Sequence, residues 1–291
     1  FAQAHGVARS YGSYRELVDD DDIDVVYVAT TNAQHHSHAL LALEAGKPVL
    51  VEKAFALNAR QAREMVTTAR DRGLFCMEGM WLRLNPLIRH AIGLIADGGI
   101  GAVVSVRADL SKRFPYLPDH RLYDLSAGGG ALLDLGVYPL TLVWMLLGRP
   151  AGIAATGSLS PTGSDATVGI QCHYPGGPIS QVHTSASVES PFAALVCGTD
   201  GWLRFETRVH RPTAVTVWTA AGEQVLDAAA ARTAVAGPNG YGYEIAEVER
   251  CLRAGELESA LVPLDDTVAV LDLIDEARAQ LGVRYAADGP R

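Results

Sequence analysis

The amino-acid sequence predicts an α/β protein in two parts. A partial parallel-sheet domain covers residues 1–83, and an α+β domain with an open, mostly antiparallel sheet covers residues 84–291. In the first part, short apolar runs alternate with helical patterns, which is typical of a parallel sheet. At residues 104–110 apolar and polar residues alternate, which predicts a strand with one wet face. Two strand-like runs flank the turn at residues 175–177, and this pattern predicts an antiparallel hairpin.

In the first part, Gly46 is expected to end one helix and Asn58 to cap the next. The elements predicted there are a strand over 24–29, a helix over 36–45, a strand over 48–51, a helix over 59–72 and a strand over 74–77. In the second part, Asn85 and Pro86 are typical of a helix start. The elements predicted there are a helix from residue 85 to about 97, strands over 104–110, 167–174 and 179–187, and closing helices over 243–254 and 265–281.

Composition restricts the class of protein. Of the 291 residues, 48% are hydrophobic and 20% are charged, which predicts a globular chain with a substantial core. The net charge of −9 and the lack of a basic cluster argue against nucleic-acid or anionic-membrane partners. The apolar run at 131–147 is shorter than the roughly 20 residues of a membrane span. A reducing cytoplasm is expected because no CxxC pair occurs among Cys76, Cys172, Cys197 and Cys251.

Two motifs carry a family resemblance. The first is TNAQH at residues 31–35, followed by ALEAGKPVLVEK at residues 42–53. The second is AGGGALLDLGVYP at residues 127–139. Together they resemble the Gfo/Idh/MocA family, in the branch with Tyr where many members have His, which includes dihydrodiol and sugar 1-dehydrogenases. Residues 77–83 and 240–244 resemble the same branch, so the resemblance covers essentially the whole chain.

The resemblance implies a truncated Rossmann-type domain followed by a substrate-binding and dimerisation domain. It implies an oxidoreductase that transfers a hydride between a sugar, polyol or cyclic diol CH–OH group and NADP or NAD, as a homodimer. NADP is the expectation for the branch. Two other functions stay open: a sensor that binds a sugar or dinucleotide without turnover, and a lyase or hydrolase that keeps its nicotinamide bound.

The sequence departs from the family at its front. No GxGxxG follows a first strand, and no residue is placed to contact the ribose 2′ position, so a segment is expected upstream of Phe1. The glycines at 128–130 do not replace this fingerprint; they are predicted to allow close backbone approach to substrate or cofactor. Thr31 and Ala54 stand where the family usually has Pro, which predicts less rigid loops.

Lys53 and Tyr138 are the leading catalytic candidates. Lys53 follows a predicted strand at the carboxyl edge of a parallel sheet, where such folds bind ligands; an ordinary solvated lysine is the alternative. Tyr138 is the candidate base, because an adjacent ammonium lowers the pKa of a phenol from about 10. In the alternative assignment Lys53 carries the proton and Tyr138 donates a hydrogen bond.

Asp134 lies four residues before Tyr138, so a helix places both on one face. Asp134 is expected to hold a substrate hydroxyl or to orient Lys53. Core packing is the alternative for both residues. Pro139 is expected to kink the helix beside Tyr138 and to aim the phenol into a cleft.

The remaining candidates are weaker. The cofactor-binding candidates are Thr30, Asn32, His35, Glu52, Lys53, Trp81 and Arg83, with Asn32 and His35 expected in a loop. Glu52 is expected either to contact the cofactor or to form a local ion pair. Arg121 and Tyr123 are candidates for the substrate cleft. No metal site is expected, because the histidines at 35, 36 and 38 have no carboxylate or thiolate at helical spacing.

Overall fold

A computed structural model describes residues 2–191, 193–227 and 240–289 of the chain. Its first part is a three-stranded parallel sheet in the order β1–β2–β3, flanked by helices. The elements are α1 (Ala2–His5), α2 (Tyr14–Val18), β1 (Val26–Val28), α3 (Asn32–Glu44), β2 (Val49–Glu52), α4 (Ala59–Arg72) and β3 (Cys76–Gly79). The predicted strand–helix alternation and the parallel sheet are therefore confirmed.

Local chemistry sets the helix bounds in this part. Helix α4 has the predicted range, because the Asn58 side chain accepts a hydrogen bond from the Gln61 amide and Gly73 ends the helix at φ 62°. Helix α3 begins at Asn32 rather than near residue 36, since Thr31 has the extended backbone of an N-cap. The expectation that Asn32 and His35 lie in a loop is therefore wrong: both lie in the first turn of α3.

The second part is built on an eight-stranded sheet in the order β11–β10–β9–β8–β4–β7–β6–β5. Only the β4–β7 pair is parallel among its described pairs, so the predicted mostly antiparallel sheet is confirmed. The helices are α5 (Trp81–Leu84), α6 (Pro86–Ala96), α7 (Val137–Leu147), α8 (Gly242–Ala254) and α9 (Leu264–Leu281). The strands are β4 (Val103–Ser111), β5 (Gly152–Leu159), β6 (Asp165–His173), β7 (Ile179–Ser185), β8 (Ala194–Gly198), β9 (Gly201–Glu206), β10 (Ala214–Thr219) and β11 (Gly222–Asp227).

The large sheet has one covered face and one open face. On β4, Val106, Ala108 and Leu110 are buried, and α7 packs against this strand. Arg107 and Asp109 point to the opposite face, where they line a shallow groove of 710 Å³. The predicted alternation of buried apolar and more exposed polar residues is confirmed from Val106 onward, whereas Val104 is exposed at the register shift between Val103 and Ser105.

The most apolar segment of the chain lies in the core. Leu125–Leu147 spans 23 residues, and its most apolar 18-residue window has a mean hydropathy of 1.7. By length and composition this helix is sufficient to cross a membrane, but 78% of that window is buried inside the protein. The segment is longer than predicted because a 3₁₀ turn (Leu125–Ala127) and a π-helical turn (Leu132–Gly136) precede α7. Pro139 directly follows the π turn within one continuous helical stretch, so its missing N–H and the π turn lie together beside Tyr138. The kink expected at this position stays a prediction.

Candidate active site

A cavity of 560 Å³ lies at the carboxyl ends of the parallel strands, between the small sheet and the second part of the chain. This is the edge at which open α/β sheets bind ligands. Most of the predicted site residues line it: Thr30, Asn32, His35, Glu52, Lys53, Trp81, Arg121, Asp134 and Tyr138. The fold therefore brings together residues that are more than a hundred positions apart in the sequence.

Lys53 and Asp134 form a buried ion pair in the cavity wall. Lys53 Nζ donates to the Asp134 main-chain oxygen at 2.8 Å and to Asp134 Oδ1 at 3.0 Å. Arg121 closes the other side of the carboxylate, with Nη1 3.0 Å from Oδ1 and Nη2 3.3 Å from Oδ2. Asp134 is thus held by two cations, of which Arg121 is the more exposed.

Mutual attraction keeps this pair ionised. Burial opposes charge on Lys53, but the nearby Asp134 carboxylate raises the pKa of the Lys53 ammonium above its usual range. Burial likewise disfavours the Asp134 carboxylate, and the charges of Lys53 and Arg121 overcome this and lower the Asp134 pKa. Lys53 is therefore a charged donor at neutral pH.

Tyr138 lies against both Lys53 and Trp81. Trp81 Nε1 donates to the Tyr138 hydroxyl oxygen at 2.7 Å, and Lys53 Nζ is 5.0 Å from the centre of the phenol ring. Burial nevertheless raises the pKa of Tyr138 to about 12, although Lys53 and the Trp81 hydrogen bond lower it. The expectation of a net lowered Tyr138 pKa is therefore wrong for the protein without ligands, because desolvation exceeds the effect of the ammonium.

The π turn that carries Asp134 is anchored by a buried carboxylate. The Leu132 amide donates to Asp165 Oδ2 at 2.6 Å, and burial raises the Asp165 pKa to about 6. The preceding glycines allow close approach, but to the protein itself. A Cβ on Gly129 would lie 2.7 Å from the Leu122 oxygen, and one on Gly130 would lie 2.2 Å from Asp165 Oδ1. The close contacts predicted for substrate or cofactor are made by these internal groups.

The amino-terminal turn of α3 forms another wall of the cavity. His35 Nδ1 is 2.9 Å from the Ala54 oxygen and Nε2 is 3.1 Å from the Thr30 oxygen, while burial lowers the His35 pKa. A neutral His35 satisfies one of these carbonyls, and it joins the end of β1 to the segment after Lys53. The Asn32 side-chain amide donates to the Gly128 oxygen at 3.4 Å. The Lys53–Ala54 peptide bond is cis.

Glu52 lies at the end of β2 beside Lys53. Its carboxylate accepts a hydrogen bond from the Tyr27 hydroxyl and another from the Lys53 amide at 3.1 Å. Among the described residues it has no cation within ion-pair distance. This arrangement leaves Glu52 facing the cavity, with Glu244 buried nearby against Gly79.

Two of the predicted residues lie away from the cavity. Arg83 is buried and pairs with Asp266 at 2.8 Å, which joins α5 to α9. Tyr123 is also buried, and its hydroxyl donates to the Phe114 oxygen at 3.0 Å. Both side chains have structural partners, so we do not carry either into the proposed site.

Sequence reasoning did not select several other residues that line the cavity, and these include the charged or aromatic side chains of Lys112, Glu189, Arg208, His210 and Tyr241. Tyr241 lies within residues 240–244, a segment that contributed to the family resemblance but was not assigned to the site. The other four come from strand ends and loops of the large sheet. No local pattern marks them, because only the strand order brings these segments to one place.

The neighbouring histidines have separate partners. His36 Nε2 is 2.9 Å from Glu64, and His38 Nδ1 is 3.2 Å from the Thr30 hydroxyl. Within residues 2–191, 193–227 and 240–289, no three His, Cys, Asp or Glu side chains are grouped as metal ligands.

Comparisons with known proteins agree with this geometry. The family model for the oxidoreductase family with an NAD-binding Rossmann fold matches residues 1–80, and the GFO/IDH/MocA C-terminal domain matches residues 88–204. The chain is similar to trans-1,2-dihydrobenzene-1,2-diol dehydrogenase of Bos taurus, at 37% identity over 99% of this chain and 86% of that protein. The Homo sapiens protein of that name is 35% identical with the same coverage.

Solved structures show the same fold. The aldose-aldose oxidoreductase of Caulobacter crescentus superposes with a TM-score of 0.85 at 23% identity, covering 97% of this chain and 85% of that one. An NAD binding oxidoreductase of Klebsiella pneumoniae superposes with a TM-score of 0.84 at 25% identity, covering 97% and 84%. The two domain matches and the full-length relatives confirm the resemblance carried by the two sequence motifs. The chain belongs to the Gfo/Idh/MocA family of oxidoreductases with an NAD-binding Rossmann fold.

Proposed function

We propose that the cavity transfers a hydride between the CH–OH group of a sugar, polyol or cyclic diol and NADP or NAD. The observation that carries this proposal is the meeting of Lys53, Asp134 and Tyr138 in one cavity at the carboxyl edge of a parallel sheet. The names of the relatives, which are diol dehydrogenases, support the substrate class. In this division of labour residues 1–83 contribute to cofactor binding, and residues 84–291 bind substrate.

The cavity residues fit a nicotinamide group. Thr30, Asn32 and His35 surround the amino-terminal end of α3, where the helix dipole and free N–H groups favour anionic or polar ligands. Glu52 and Trp81 face the same space, and they would hold a carboxamide and an aromatic ring respectively. When bound, nicotinamide supplies the carbon that accepts or returns the hydride.

Tyr138 is proposed as the proton carrier. Its oxygen already accepts a hydrogen bond from Trp81, so its own proton is available to a substrate oxygen in the cavity. Lys53 is charged and has no lone pair to accept a proton, which supports Tyr138 over Lys53 in that role. The Lys53 ammonium beside the ring stabilises the phenolate that forms when Tyr138 gives up its proton.

Asp134 is proposed as the residue that orients Lys53. The Lys53 ammonium donates one hydrogen bond to the Asp134 main-chain oxygen and one to its carboxylate, and Arg121 holds the carboxylate from the other side. Such support keeps a charged donor in place without reorganisation during the reaction. Arg121 also reaches the cavity, so it is available to a substrate hydroxyl.

Cofactor reduction by a panel of polyols and cyclic diols tests the proposal, with NADP and NAD supplied in turn. We expect absorbance of reduced cofactor to rise with at least one diol or sugar. Binding of these compounds without any turnover would favour a sensor over a dehydrogenase. Turnover without release of reduced cofactor would favour a lyase or hydrolase that recycles a bound nicotinamide.

We also propose that the protein is a homodimer formed through the open face of the large sheet. The groove there combines charged and apolar groups, and Trp218 and Val225 on β10 and β11 are 43% and 57% exposed. Size-exclusion chromatography with light scattering measures the molar mass in solution, and the mass of a monomer would contradict the proposed dimer. A cytoplasmic location is proposed on the ground that Cys76, Cys172, Cys197 and Cys251 are all free thiols.

A further inference from the structure

His210 lies in the cavity wall beside Tyr138, one of the catalytic candidates. It follows β9 and lines the same cavity as Lys53 and Tyr138, although it is more than 70 positions from either in the sequence. We propose that His210 is a specificity-determining residue that binds a second hydroxyl group of the substrate through its Nε2 atom. This inference rests on the proposed dehydrogenase function and deepens it, because it selects polyhydroxylated substrates over simple alcohols.

Aromatic rings fix the position of His210. Its ring centre is 5.0 Å from that of Tyr138, at an interplanar angle of 31°, and 5.2 Å from that of Trp81, at 65°. Tyr241 also stacks on Trp81, at 5.2 Å between ring centres and 27° between planes. The imidazole is therefore held beside the phenol whose oxygen would contact the reacting hydroxyl.

The imidazole nitrogens of His210 have no hydrogen-bond partner among the described residues. Nδ1 is sealed from solvent, and the residue lines the cavity. A buried nitrogen without a hydrogen bond is costly, so its presence in a folded protein calls for an explanation. Because Nδ1 is sealed from solvent, Nε2 is the nitrogen left to bind a substrate in the cavity.

The backbone that delivers His210 is strained. Thr207 and Arg208 have φ values of 46° and 48°, in the left-handed region that residues with a Cβ seldom adopt. Strain of this kind persists where the surrounding structure enforces it, and it is concentrated at binding and catalytic sites. Here it turns the chain after β9 so that Arg208 and His210 both reach the cavity.

His210 is neutral at working pH. Burial, followed by the charges of Arg211, Lys53 and Arg208, lowers its pKa to about 3. A neutral imidazole has one donor and one acceptor nitrogen, and it suits a hydroxyl group, which also both donates and accepts. A carboxylate or phosphate would find only one donor there.

The geometry therefore favours a vicinal diol or a sugar. With the reacting hydroxyl at Tyr138 and Lys53, the neighbouring substituent of the same molecule lies toward the adjacent imidazole. A site that hydrogen-bonds a substrate hydroxyl discriminates strongly against analogues that lack it, because its polar group is then left unpaired. His210 is thus expected to favour a diol over the corresponding mono-alcohol.

The test compares a vicinal cyclohexanediol with cyclohexanol for the wild type, His210→Phe and His210→Gln. Phe keeps the ring and removes the hydrogen bond, and Gln keeps a polar group near the position of Nε2. His90→Phe is the matched control, since His90 is exposed on α6. We measure kcat/KM for both alcohols, and we measure their equilibrium binding without cofactor by isothermal titration.

We expect His210→Phe to lower the diol-to-alcohol ratio of kcat/KM by about 10-fold or more, mostly through KM, and to lower the binding ratio similarly. His210→Gln recovers much of both ratios, and His90→Phe changes neither. Unchanged ratios in His210→Phe, or equal losses in Phe and Gln variants, overturn the inference. If the wild type binds the diol selectively but does not turn it over, the dehydrogenase function is contradicted. The diol-to-alcohol ratio of binding constants in the His210 variants then still tests the role of His210.

Discussion

The indole nitrogen of Trp81 donates a 2.7 Å hydrogen bond to the hydroxyl oxygen of Tyr138. Trp81 begins α5 and Tyr138 lies in the first turn of α7, so the bond joins these two helices at the site. It also orients the phenol, because an oxygen that accepts from Trp81 directs its own proton elsewhere. The proposed proton carrier is thus positioned before substrate arrives.

Tyr138→Phe removes the proton and leaves the ring. We expect kcat to fall by about 10²–10⁴-fold, the range for loss of a general acid–base group, while diol binding weakens little. Steady-state cofactor reduction and titration calorimetry measure the two effects. Tyr116→Phe is the control, because Tyr116 is exposed and lies outside the cavity. Retention of wild-type kcat in Tyr138→Phe would exclude Tyr138 as the proton carrier.

Asp134→Asn removes the carboxylate that keeps Lys53 charged. Burial then lowers the Lys53 pKa against the weaker opposition of Tyr138 and Glu52, so the alkaline fall of kcat/KM is expected at lower pH, by at least about one unit. A pH profile of kcat/KM from neutral to alkaline pH measures this shift. Arg121→Gln leaves the Lys53–Asp134 pair in place and should shift the profile less. An unshifted profile in Asp134→Asn would contradict the proposed coupling.

Glu244→Gln tests a buried carboxyl beside the site. Burial, followed by the charge of Glu52, raises the Glu244 pKa to about 8 from an ordinary value of 4.5. Between about pH 4.5 and 8, Glu244 is therefore protonated in the folded protein and ionised in the unfolded chain. For this reason Glu244 lowers the free energy of unfolding as pH rises toward 8.

At pH values above 8 we expect Glu244→Gln to have a higher Tm than the wild type, by roughly 2–4 °C for each kcal/mol of unfolding free energy that the substitution restores. Near pH 4 the two proteins should unfold at similar temperatures, because Glu244 is then protonated in both states. Glu249→Gln, on the exposed side of α8, serves as the control in thermal denaturation. A difference in Tm that is equal at both pH values would show that Glu244 does not titrate as proposed.

Gly129→Ala places a methyl group against three main-chain oxygens, those of Arg121, Leu122 and Asp124, at 2.7–2.8 Å. The segment that carries Arg121 must move, so we expect a loss of about 1–3 kcal/mol in the free energy of unfolding. Gly93→Ala is the matched control: it lies in α6 with open space around it, and it should stabilise by about 0.5–1 kcal/mol. Denaturant unfolding measures both, and a neutral Gly129→Ala would contradict the tight contact.

The sequence predicted elements whose signals are local. Asn58 and Gly73 mark both ends of α4, and the alternation along β4 gives its buried face. The start of α3 was misplaced because Thr31 caps it through backbone conformation, without a side-chain hydrogen bond that the sequence would reveal. The π turn was missed for a similar reason, since its anchor, Asp165, is 33 positions from Leu132.

Within the site, Lys53, Asp134 and Tyr138 were predicted because each lies in a motif. His210 was not, since its place depends on the strand order β9–β8–β4 and on two residues with positive φ. The direction of the Tyr138 pKa shift also could not be predicted from the sequence alone. An ammonium nearby lowers that pKa, but only the degree of burial decides which effect is larger.

The central claim is that Lys53 supplies the charge on which proton transfer at Tyr138 depends. The most direct test is cofactor reduction by the diol panel with Lys53→Met, which keeps the apolar stem and removes the ammonium. We expect kcat to fall by about 10²-fold or more while calorimetry still detects diol binding. Wild-type-like turnover in Lys53→Met would contradict the account.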